Sequence, residues 1–98
     1  VGAKSFTVDL EALPGGDYIS EGLRDLREGR ETLAALLVSV GAPRLRSLGL
    51  EVPRPFDNPE DRLYALLAAQ DPDSAHSRYN ALIRRLVSFE RAAECVPR

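Results

Sequence analysis

Asp71-Pro72-Asp73-Ser74-Ala75-His76-Ser77-Arg78-Tyr79-Asn80-Ala81-Leu82-Ile83-Arg84-Arg85-Leu86-Val87-Ser88-Phe89-Glu90-Arg91-Ala92-Ala93-Glu94-Cys95-Val96 is the stretch whose reading decides the fold. Apolar residues recur at Ala75, Tyr79, Leu82, Leu86, Phe89, Ala93 and Val96, at spacings of 4, 3, 4, 3, 4 and 3. This is the heptad seam of an amphipathic helix. Ile83 and Ala92 widen the seam into a face. One long helix is expected from Asp71 to Val96. Asp71 is its expected N-cap, Pro72 its first helical position and Pro97 its stop.

The preceding segment prescribes a helix of its own. Asn58-Pro59-Glu60-Asp61 offers a cap, a proline at the first position and acids that complement the helix dipole. That helix is expected to run to about Ala69, with Leu63, Leu66 and Leu67 on its buried side. Gln70-Asp71-Pro72 leaves room only for a hairpin or elbow into the long helix. The lengths do not match, ~36 Å for the long helix against ~16 Å for its neighbour. Part of the long seam should therefore be shielded by the Glu31–Val40 segment or by a second copy of the chain.

Working back toward the N-terminus, Pro53-Arg54-Pro55-Phe56-Asp57 is a stiff connector. Glu31 to Val40 is the most apolar stretch, with Leu33, Ala34, Ala35, Leu36, Leu37, Val38 and Val40, and should be buried on most sides. Gly41 and Pro43 are expected to end it, leaving Arg44–Leu48 as at most one further turn closed by Gly49. A first helix begins after Pro14-Gly15-Gly16, capped by Asp17 or Ser20, and carries Ile19, Leu23 and Leu26 inward with Tyr18 alongside. A break is expected at Gly29. Lys4–Leu10 and Leu48–Val52 both alternate apolar and polar residues, so a minimal two-stranded β ribbon between them is expected, with extended arms as the alternative. The fold class is mainly α: a single domain over residues 1–98, with an extended arm and turn over 1–16 and four main helices, the last of them the long C-terminal one.

Composition narrows the function classes. Apolar residues make up 44% and charged residues 29%, ordinary for a globular chain. Net charge is −2, so no global field favours nucleic acid or an anionic membrane. The charge is nevertheless uneven: residues 1–71 carry 8 basic and 12 acidic side chains, residues 72–98 carry 5 and 3. A single cysteine cannot form an internal disulfide, and no apolar run approaches the ~20 residues of a membrane span. No signal peptide is visible in the sequence, and a cytoplasmic protein is the expectation.

Several groupings invite chemistry, and each has a plainer explanation. Arg78, Arg84, Arg85 and Arg91 lie off the seam and form two short ridges, each pair seven residues apart. They could meet phosphates, yet Glu90 and Glu94 interrupt them and no aromatic residues interleave. A helix-turn-helix at Leu33–Leu48 fails on length, because Arg44–Leu48 is too short to span a major groove. Asp71, Asp73 and His76 only loosely resemble a metal triplet, and capping accounts for the acids. Cys95 sits at the negative end of a helix, which disfavours a thiolate. No catalytic set, metal site or cofactor is implied. The sequence leads to a non-enzymatic helical interaction protein, expected to form a homodimer or to dock on another protein. Its expected interface is Tyr79, Leu82, Leu86, Phe89, Ala93 and Val96. Nucleic-acid binding through the four arginines is the alternative.

Overall fold

The computed structural model describes residues 10–95. A 3-10 turn at Leu10–Ala12 precedes five helices: α1 Gly16–Arg27, α2 Leu33–Val40, α3 Ala42–Ser47, α4 Pro59–Gln70 and α5 Ala75–Glu94. Buried residues from all five helices join one hydrophobic cluster.

The centre of that cluster is α2. It contains no charged residue, and Ala34 through Ser39 are all buried. A helix without a polar face has to be enclosed by its neighbours. α1, α4 and α5 pack against it, and α3 continues from its end. The approach of α1 is especially close. A Cβ built on Gly22 would lie 2.3 Å from the Ala34 carbonyl oxygen and 2.6 Å from Val38 Cγ2. Only a residue without a side chain fits that crossing.

The turn from α1 to α2 is held by a short polar chain. Gly29 adopts φ 76, its N–H donates to the Leu26 carbonyl at 3.1 Å, and the Arg30 N–H donates to the Asp25 carbonyl at 2.9 Å. These are the two bonds of a Schellman ending, and they place the expected break at Gly29. Asp25 is 6% exposed, and its carboxylate accepts from the Thr32 hydroxyl at 2.8 Å and from Arg30 Nη2 at 3.0 Å. Thr32 Oγ1 in turn accepts from the Ala35 N–H at 3.1 Å, capping α2. Hydrogen bonds from Thr32 first, then from Arg30, hold the Asp25 carboxyl below its ordinary pKa.

The other caps differ from expectation. Neither Asp17 nor Ser20 caps α1: Gly15 does so at φ 72, and Asp17 Oδ1 accepts from the Tyr18 N–H inside the first turn. Pro59 does occupy the first turn of α4, but Asn58 makes no side-chain cap and sits at φ 48, ψ 51. Asparagine enters this left-handed region more readily than most residues. Pro43 opens α3 rather than ending α2, and Gly41 is the one-residue elbow between them.

Among the described residues there is no strand, so the expected ribbon is not seen there. Leu10 starts the 3-10 turn, while Leu48 and Gly49 close α3 through a second Schellman ending, Gly49 N–H to Arg46 and Leu50 N–H to Leu45, both at 3.0 Å. Alternation around Gly49 thus marks a helix end. Positions 4–9 lie outside the described residues. The segment after Gly49 runs back across α2 as a strap. Arg46 Nη2 donates to the Val52 carbonyl at 2.7 Å, and the Phe56 N–H donates to the buried Ser39 hydroxyl at 3.1 Å.

The long helix begins four residues later than expected. Asp71 caps the end of α4 instead, and its carboxylate accepts from the Asp73 N–H at 3.2 Å and the Ser74 hydroxyl at 2.9 Å. This turn carries the chain into α5 at Ala75. No helix of the described residues is long and apolar enough to cross a membrane.

Candidate interaction surface

α5 owes its place to its seam, and the seam is covered unevenly. Phe89 and Ala93 are 0% exposed and Leu86 is 4% exposed. The α2–α3 elbow reaches Leu86: a Cβ on Gly41 would come 2.9 Å from Leu86 Cδ1. Arg44 of α3 forms an ion pair with Glu94 at the end of α5. Glu90, between them and half-buried, has its carboxyl pKa raised by burial, an effect that Arg44 opposes. The C-terminal half of the seam therefore lies inside its own protomer. Leu86, Phe89 and Ala93 have almost no surface left for a second chain and drop out of the expected interface. Val96 lies outside the described residues.

Length arithmetic misplaced the uncovered part. It assigned α4 the first half of the seam and left the rest to the Glu31–Val40 segment or to a second copy of the chain; α2 does pack on α5. In the structure the second half is enclosed, and Tyr79, Leu82 and Ile83 remain partly exposed. α5 packs against α4 and α2, the Gly41 elbow lies against Leu86, and Arg44 of α3 pairs with Glu94 at the far end. On the α4 side, the Tyr79 ring stands 5.7 Å from the ring of Tyr64, centroid to centroid and tilted by 55°. Among the described residues Tyr64 is the large hydrophobic residue left exposed, at 40%. Burial first, then Glu60 and Asp61, raises the Tyr79 hydroxyl pKa.

On the opposite flank of α5 a shallow open groove of about 240 Å³ is lined by Tyr18, Leu33, Arg78, Ala81, Leu82 and Arg85. Leu82, Leu33 and the Tyr18 ring supply its apolar part. The Arg85 guanidinium lies over the Tyr18 ring, 5.2 Å from the centroid. Such a cation–π contact at a surface is worth about 0.5–1 kcal/mol. Burial first, and then Glu21, raises the Tyr18 hydroxyl pKa, while Arg85 and Arg78 pull it down. Both arginines thus bear on the same wall of the groove. The groove is smaller than the ~300–1,000 Å³ usual for small-molecule sites and suits one or two protein side chains. In the sequence Leu33 was visible only as part of the most apolar stretch and Tyr18 only as a residue alongside the inward positions of the first helix. Their position at the edge of an apolar helix face was the one signal of a shared wall.

The four arginines do not form one basic face. Arg78 and Arg85 border the groove, whereas Arg84 and Arg91 are exposed and not among its lining residues. Helix geometry sets the two pairs roughly 120° apart at ~3.6 residues per turn. Asp71, Asp73 and His76 are all exposed. Asp71 is engaged by its own turn, and His76 Nε2 lies 3.3 Å from Asn80 Nδ2. Among the described residues no group of three His, Cys, Asp or Glu side chains is placed to hold a metal ion. Cys95 is exposed with a free thiol. Gly41 stands at φ −89 and gives way after one residue to the six-residue α3, so α2 and α3 do not make a DNA-reading helix-turn-helix. No family model matches this chain, and comparison with curated proteins and with solved structures found no match.

Proposed function

We infer that the chain is a non-enzymatic protein–protein interaction module. Its recognition surface is the uncovered stretch of α5 around Tyr79 and Leu82, and self-association is the simplest form of the activity. One observation carries this reading: within one continuous apolar seam, Leu86, Phe89 and Ala93 are sealed while Tyr79 and Leu82 stay partly open. An apolar side chain kept at the surface beside a fully enclosed one of the same seam has area to bury against something else. Each large side chain that completes its burial contributes up to ~1.5–3 kcal/mol.

Sedimentation velocity over a concentration series tests self-association. A mass that rises with concentration, and falls back on Tyr79→Glu together with Leu82→Glu but not on Arg84→Glu, supports it. A single-protomer mass up to the solubility limit removes self-association.

A further inference from the structure

We propose that the groove between α5 and the α1–α2 wall receives an acidic amphipathic helix of another protein, its apolar side chains over Leu33 and Leu82 and its carboxylates on Arg78 and Arg85. This deepens the interaction reading above and rests on it. Charge complementarity selects the occupant. Among the described residues neither Arg78 nor Arg85 forms an ion pair, whereas Arg30, Arg44 and Arg62 each do. Two cations held in no ion pair therefore border an apolar depression. Glu21, and more weakly Asp25, also act on the Tyr18 hydroxyl, so the α1 side of the groove carries some negative charge of its own.

Spacing selects the form of the occupant. Arg78 and Arg85 are seven residues apart on α5, two turns or ~10.5 Å along the axis. Carboxylates seven residues apart on a partner helix repeat at the same distance. The apolar residues three and four positions along that helix then fall between them, over Leu82. This is the helix-in-groove mode, with apolar anchors inside and charges at the rim. A phosphate backbone matches less well: the floor is apolar, and Arg84 and Arg91 are not part of the groove.

The probe is a fluorescein-labelled helical peptide with two glutamates seven residues apart flanking a leucine pair, on an alanine–glutamine background. Its counterpart carries lysines in place of those glutamates. Fluorescence anisotropy should show the chain binding the glutamate peptide at least tenfold more tightly than the lysine peptide. Arg78→Glu with Arg85→Glu should invert that order, and the corresponding double glutamine variant should abolish the preference without inverting it. Arg84→Glu with Arg91→Glu should change nothing. Circular dichroism establishes that each variant keeps its helices. Equal affinity for the two peptides, an order that survives charge reversal, or duplex DNA competing more strongly than unlabelled glutamate peptide overturns the inference. A chain that self-associates yet ignores the peptide overturns the acidic occupant alone. A strict monomer that binds the peptide upholds it while removing self-association.

Discussion

Truncating Phe89 to alanine is the sharpest perturbation of the α5 seam. Its side chain is 0% exposed, and Ala93 one turn away is 0% exposed as well. Removing a fully buried phenylalanine costs about 3–5 kcal/mol, part lost transfer energy and part the cavity left behind. A domain of this size holds about 5–15 kcal/mol in total, so Phe89→Ala should consume roughly a fifth or more of its stability. Each kcal/mol lowers Tm by about 4–8 °C in a domain this small, so the midpoint should fall by more than ten degrees. Leu82→Ala, in the partly open stretch of the same seam, should cost only about 1–2 kcal/mol, below the 2–5 kcal/mol of a fully buried leucine. Urea unfolding followed by far-ultraviolet circular dichroism measures both. The Phe89→Ala loss should be the same over about a hundredfold range of protein concentration, because burial inside one protomer is independent of mass action. A Phe89→Ala loss below about 1 kcal/mol, or one that grows on dilution, would refute burial within the chain.

Three further outcomes are expected. Gly22→Ala should destabilise by about 1–3 kcal/mol despite alanine's ~1 kcal/mol advantage in a helix, because the added Cβ collides with the Ala34 carbonyl; a raised Tm would contradict the close α1–α2 crossing. Asp25 has a depressed carboxyl pKa in the folded chain, so its contribution is present above the ordinary carboxylate pKa and is lost as pH falls through the folded value. The Tm gap between the protein and Asp25→Asn should therefore be widest near neutrality and close under acid, and a gap independent of pH would argue against the Thr32 and Arg30 hydrogen bonds. Glu90 runs the other way: with its folded pKa raised, ionisation weakens the native state as pH climbs from the ordinary value through the folded one, so Glu90→Gln should raise Tm at neutral pH and lose that advantage in acid.

Much of the helix inventory was legible in the sequence because apolar periodicity reports burial directly. The charge-free run from Leu33 to Val40 pointed to an enclosed helix, and α2 is the centre of the core. Gly29 and Pro59 fall where their backbone chemistry places them, at a helix end and in a first helical turn. Caps were less legible. Asp71 could start one helix or finish another, and the choice depends on the Ser74 hydroxyl it meets after folding. Alternation at Leu48–Val52 resembled a strand because a Schellman ending also sets apolar residues on either side of a glycine. The part of the seam left open was not legible at all. It depends on how α2, its Gly41 elbow and α4 meet α5, which is a tertiary fact with no local signature. The groove is hidden for the same reason, since Tyr18, Leu33 and Leu82 come from three helices whose packing brings them together.

The central claim is that one seam has a closed half and an open stretch. Methyl-labelled protein exposed to a soluble nitroxide tests it residue by residue, since paramagnetic broadening reports solvent access at each methyl. Strong broadening of the Leu33, Leu82 and Ile83 methyls, with Leu86 and Ala93 spared at every protein concentration, is the predicted result. Leu86 methyls broadened as strongly as those of Leu82 would contradict it.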